Sequence, residues 1–74
     1  MRTEVRAYRL ADARKLRGLT QTQIARRMGV SQTRVSQIER GEVAELRTLA
    51  SYITALGGEL KLVADFGDES LRIA

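Results

Sequence analysis

The sequence predicts a mainly α fold: four to five short helices followed by a short β element, either a strand or a hairpin. Three observations carry that prediction. Apolar residues recur at three- and four-residue intervals from Leu10 to Leu56, the spacing of helices that bury one face. Proline is absent, and glycines at 18, 29, 41, 57, 58 and 67 break the chain into segments. After Gly57–Gly58 the apolar period switches from helical to alternating, which is a strand signal.

The first segment, from about Thr3 to Arg17, reads as a helix. Val5, Tyr8 and Asp12 share one stripe, and Leu10, Ala13 and Leu16 form the apolar set, with Gly18 as the closing cap. In the second, Thr20 is followed three residues later by Gln23, the signature of a reciprocal capping box. Ile24, Ala25 and Met28 give that helix its apolar face, and Gly29 ends it after about eight residues. The third begins at Ser31, a good N-cap, and turns Val35 and Ile38 inward before Gly41. Gln32, Thr33, Arg34, Ser36 and Gln37 are left pointing elsewhere. The fourth, roughly Glu45 to Leu56, closes a small core with Leu46, Leu49, Ile53 and Leu56. Beyond it, Leu60, Leu62, Ala64 and Phe66 alternate on one face of a strand spanning 59–66. A turn at Gly67–Asp68 precedes a second short strand carrying Leu71 and Ile73. A lone hairpin is marginal, so these strands need a partner surface, either the helical core or a second chain. The expected organisation is a helical domain over 1–58 and a β element over 59–74.

Composition narrows the function. Seventy-four residues make one small domain, for which self-association is a physical expectation. There is no histidine and no cysteine, which removes the commonest general base, the commonest metal ligands and any disulfide. With no Gly-rich phosphate loop and no clustered carboxylates, an enzyme is not expected, nor is a metal or cofactor. No apolar run approaches a membrane span, and a cytoplasmic location is expected. Charge is uneven: residues 1–41 hold ten of the 13 basic side chains and three of the nine acidic ones. A basic first half suits a polyanion, and an acidic second half suits self-association or a basic protein. Tyr8, Tyr52 and Phe66 are too few and too dispersed to stack single-stranded nucleic acid, and read as core or interface residues.

Two short helices joined by a glycine-containing turn make a helix-turn-helix, in which one helix crosses the DNA backbone and the next lies in the major groove. The run LTQTQIARRMGVSQTRVSQIERG, from Leu19 to Gly41, resembles the phage repressor/Cro-type family, also called the xenobiotic-response-element family. The resemblance extends from Leu10 to Leu56, about two-thirds of the chain. It implies base-reading roles for Gln32, Thr33 and Gln37, with Arg34 directed at guanine or at phosphate and Ser36 as a secondary reader. Glutamine suits adenine, because its amide pairs with N6 and N7 together. The same resemblance implies phosphate contacts from Gln21 and Arg40, joined by Arg26 and by the capping residues Thr20 and Ser31. Glu39 would oppose DNA and is expected to pair with Arg14 or Arg17.

The stretch LRTLASYITALGGEL and the tail that follows it to Ala74 are similar to the end of HigA-type antitoxins. That likeness implies a homodimer on a palindromic operator, neutralising a RelE-like ribonuclease and repressing the shared operon. The alternative is an autonomous phage- or plasmid-type regulator with no toxin. Leu60, Leu62 and Ala64 are expected at the dimer interface, though an edge strand there also suits a partner's sheet. In such antitoxins more chain is expected before the first helix, and a shortened N-terminus would put toxin neutralisation in doubt.

Overall fold

A computed structural model describes the backbone of residues 7–73 and the side chains of residues 10–73. The order is α1 (Ala7–Leu16), α2 (Gln21–Met28), α3 (Gln32–Glu39), α4 (Leu46–Ala55), β1 (Val63–Asp65) and β2 (Ser70–Arg72). The expected start of the first helix, including Val5, and the question of a shortened N-terminus lie outside the described residues, as does the Tyr8 side chain.

The caps form as the sequence predicts. The Thr20 hydroxyl oxygen accepts from the Gln23 amide at 3.1 Å, and the Gln23 side chain accepts from the Thr20 amide at 2.8 Å. The Ser31 hydroxyl oxygen accepts from the Arg34 amide. Gly29 closes α2 at φ +72°, where an L side chain would be strained. Gly29 N–H returns to the Arg26 carbonyl at 3.2 Å and Val30 N–H to the Ala25 carbonyl at 3.0 Å, the two bonds that finish such a turn.

Ile24, Val35, Ile38 and Tyr52 are fully buried, and Ala25, Ala55 and Leu56 complete the core. Leu10, Ala13, Leu19, Met28, Val30, Val43, Leu49 and Ile53 pack around it. Two apolar positions depart from expectation. Leu16 is 85% exposed, because the inward stripe of α1 runs Leu10, Ala13, Arg14, and a buried arginine occupies the place a leucine was expected to fill. Leu46 is also exposed, since Tyr52 and Ala55 define the buried face of α4.

The strands pair antiparallel in the register Val63↔Arg72, Ala64↔Leu71, Asp65↔Ser70. They are shorter than the alternation suggested. The Ile73 N–H reaches the Leu62 carbonyl at 2.8 Å, while Leu60 and Lys61 face no partner strand among the described residues. Directly opposed residues share a face, so Leu62, Ala64, Phe66, Leu71 and Ile73 lie together. Leu60, Leu62 and Ala64 are half-buried, whereas Phe66 and Ile73 are 65% and 68% exposed. Among the described residues, none beyond Leu56 belongs to the core cluster, and the apolar hairpin face is therefore open at Phe66, Leu71 and Ile73.

Candidate nucleic-acid interface

Burying Val35, Ile38 and Glu39 fixes one side of α3 and leaves the other to solvent. Helical spacing puts Gln32, Thr33, Ser36 and Arg40 on that free side. Together with Gln21, at the start of α2, they line an open concavity of about 290 Å³. Of the expected base readers, Gln32, Thr33 and Ser36 meet there, while Gln37 is half-buried and Arg34 is exposed outside the lining. Among the expected phosphate contacts, Gln21 and Arg40 belong to the lining, and Thr20, Arg26 and Ser31 are exposed beyond it. The Thr20 and Ser31 oxygens are occupied as caps, so each retains its hydroxyl proton as a donor.

Beneath this surface lies a buried polar cluster. Glu39 Oε2 accepts from Arg14 Nε at 2.6 Å and from the Tyr52 hydroxyl at 2.6 Å. Its Oε1 accepts from Gln21 Nε2 at 2.9 Å and from Arg14 Nη2 at 3.2 Å. Four donors thus saturate the two oxygens of one carboxylate. Burial pushes the Glu39 carboxyl up, but the hydrogen bonds from Arg14, Tyr52 and Gln21, with the arginine's charge, outweigh it and hold the group below its ordinary value. The hydrogen bond to Glu39 raises Arg14, and burial followed by the bond to Glu39 pushes the Tyr52 hydroxyl up. Arg14 Nη1 also donates to the Leu19 carbonyl at 2.8 Å, tying the turn before α2 to the same cluster. The expected partner of Glu39 is therefore Arg14, and Arg17 instead donates to the Ala13 carbonyl of its own helix.

The cluster reaches the surface through Gln21. With its amide N–H committed to Glu39, its Oε1 faces Gln32 Nε2 at 3.4 Å. The Gln32 carbonyl oxygen has no hydrogen-bond partner among the described residues. Arg27, next to the DNA-facing candidates in sequence, is used otherwise: Nη1 donates to the Ala55 carbonyl at the end of α4, at 2.7 Å. Sequence reasoning missed Glu42. It accepts from Arg40 Nε at 2.8 Å and from Nη2 at 3.4 Å, while Arg40 Nη1 donates to the Ser36 hydroxyl at 2.7 Å.

Comparison with known proteins bears on the family and the fold. Residues 10–63 match the helix-turn-helix family profile. All of the chain aligns with HigA2 of Mycobacterium tuberculosis at 46% identity over 76 residues, spanning 75% of that protein. HigA3 of the same organism is 47% identical over 99% of this chain and 70% of its own length. A solved HigA antitoxin, described for DNA bending induced by unique dimerization, superimposes with a TM-score of 0.79 at 44% identity, covering 93% of this chain and 92% of that one. The solved DNA-bound antitoxin HigA3 gives 0.81 at 42% identity, covering 99% and 94%. The chain belongs to the helix-turn-helix family and, within it, to the HigA antitoxins.

Proposed function

We propose that this protein is a homodimeric, cytoplasmic DNA-binding antitoxin that represses its own operon and neutralises a RelE-like ribonuclease. The observation that carries the DNA-binding part is the all-polar stripe of α3 over a concavity shared with Gln21, on a helix whose other side is anchored in the core. Two such helices, one per protomer, would enter successive major grooves of a palindromic operator, about 34 Å apart. Gln32 and Thr33 would read bases, with the Gln32 amide suited to adenine N6 and N7. Arg34, Ser36 and Gln37 complete the reading set. Gln21, Arg26 and the hydroxyl protons of Thr20 and Ser31 would engage phosphates. The open apolar face of the hairpin supports a dimer through Leu60, Leu62 and Ala64, extended by Phe66, Leu71 and Ile73. The likeness to solved HigA antitoxins supports the same assembly, and the acidic second half suits a basic toxin.

The test is selection of a binding site from randomised duplex DNA, followed by titration of Gln32→Ala on that site and on random duplex. We expect a loss of about 1–3 kcal/mol on the selected site, with relaxed preference at one base position. Equal weakening on every duplex would remove Gln32 from the reading set. Co-purification with the product of the adjacent gene, together with rescue of growth from its toxicity, tests the antitoxin role.

A further inference from the structure

Arg40 was expected from sequence to hold a phosphate, but its surroundings are unusual for that task. It is the C-cap of α3, and its guanidinium turns back one helical turn to donate to Ser36 in the middle of the exposed stripe. This puts it over the concavity lined by Gln21, Gln32 and Thr33, among the candidate base readers. On its other side, Nε and Nη2 address the two oxygens of Glu42 as a fork.

The backbone fixes Glu42 in that place. Gly41 sits at φ +78°, its N–H returning to the Ile38 carbonyl at 3.1 Å. The Glu42 N–H returns to the Gln37 carbonyl at 2.9 Å, so both bonds of a Schellman closure are present. An exposed ion pair between two free side chains is worth little and has many geometries. Here one partner is anchored by the helix end and the other is held at three points. A carboxylate at this spot also works against phosphate, since it cancels the arginine's charge beside a polyanion. What it provides is direction. Three of the five N–H donors of Arg40 are engaged, and one remains on each terminal nitrogen. Two N–H donors carried on the terminal nitrogens of a planar group are what the O6 and N7 acceptors of guanine take up in the major groove.

We infer that Arg40 reads a guanine in each half-site, and that Glu42 and Ser36 are the positioning residues that aim it. The inference rests on the DNA-reading function proposed above.

The experiment uses the full chain and the randomised-duplex selection, repeated with Arg40→Ala, Arg40→Lys, Glu42→Ala and Glu42→Gln. The last of these keeps the side-chain volume at the turn, and circular dichroism checks that each variant is folded. Wild type should select a motif with a guanine at a fixed place in each half-site. Arg40→Lys, which keeps the charge and loses the fork, should lower preference at that position about tenfold while preserving the salt dependence of binding. Arg40→Ala should lose that preference outright. Both Glu42 variants should lower preference at the same position and at no other, with random duplex bound as well as or better than by wild type. If the Glu42 variants instead tighten binding to the selected site and to random duplex by one common factor, with the motif intact, Glu42 is only a nearby negative charge. The inference then fails while the DNA-reading function stands. If wild type enriches no motif, that function fails and takes the inference with it.

Discussion

The Glu39 carboxylate is the point at which the interior of this small domain is most exposed to a single substitution. Glu39→Gln changes almost no volume. It converts one of two acceptor oxygens into an NH2 group, and each oxygen now serves two donors. In one orientation of the amide the NH2 meets Arg14 Nε and the Tyr52 hydroxyl, whose proton can turn to the Leu10 carbonyl at 3.2 Å; in the other it meets Arg14 Nη2 and Gln21, so at least one Arg14 hydrogen bond is lost either way. It also leaves Arg14, whose side chain is only 9% exposed, with a charge and no counter-charge. Breaking a buried pair from one side costs about 3–5 kcal/mol. A domain of this length has a total stability of about 4–11 kcal/mol, so the substitution should consume about a quarter of it or more. The assay is urea unfolding followed by far-ultraviolet circular dichroism, at one fixed protein concentration because the proposed dimerisation would add to apparent stability. Arg14→Met combined with Glu39→Gln should cost less than the sum of the two singles, since the stranded cation is gone. A cost below about 1 kcal/mol for Glu39→Gln alone, or strict additivity with Arg14→Met, would refute the reasoning.

The same group sets the behaviour in acid. Its folded pKa lies below the ordinary 4.5, so its contribution is full above that value and is lost as pH falls through the folded pKa. Unfolding free energies measured between pH 6 and 3 should decline over the acid end, and Glu39→Gln should flatten that decline; an unchanged profile would assign it to other carboxylates. Gly29→Ala places a Cβ in open space but at φ +72°, and should cost about 1 kcal/mol, or a drop of about 4–8 °C in the melting temperature. An unaltered melting temperature would mean the turn relaxes freely. Leu71→Asp charges the open hairpin face at a position absent from the core, so the chain should stay folded and sediment as a monomer. A dimer that survives this change would place the interface elsewhere.

What the sequence disclosed and what it hid follow from the range of the interactions. Thr20, Gln23, Gly29 and Ser31 act within three to five residues of themselves, so their caps and turns are readable by spacing alone. The inward set Ile24, Ala25, Val35 and Ile38 is equally plain, because apolar periodicity and burial coincide there. Periodicity fails where a charge is buried. Arg14 takes a core position of α1, and the pattern then shifts onto Leu16, which points to water. Its partner Glu39 lies 25 residues away, and only the opposition of a carboxylate to DNA hinted at the pair. Arg27 and Arg40 look alike in sequence as exposed helical cations. One ends on a helix carbonyl 28 residues on, the other on a glutamate brought back by a turn. The hairpin is short for a related reason: alternation shows which residues share a face, but pairing depends on what stands opposite, and among the described residues no strand stands opposite Leu60.

The bond from Arg27 to the Ala55 carbonyl has a consequence for the geometry of the operator. It couples the helix that precedes the reading helix to the last turn before the hairpin. Gly58 adds a second tie, because its N–H meets the Ile53 carbonyl at 2.9 Å and a Cβ there would lie 3.2 Å from Ile53 Cγ2. In a dimer joined through the hairpins, these two links act as the gearing between the interface and the two reading heads. A small rotation at Ala55–Gly58 would be amplified along the 42 Å length of the protomer into a change in the distance between the two reading helices. Under the proposed dimer, the number of base pairs between half-sites would be set by residues outside the proposed reading set, and variation at Arg27 or Gly58 would alter which spacing is bound while leaving the half-site sequence as it was.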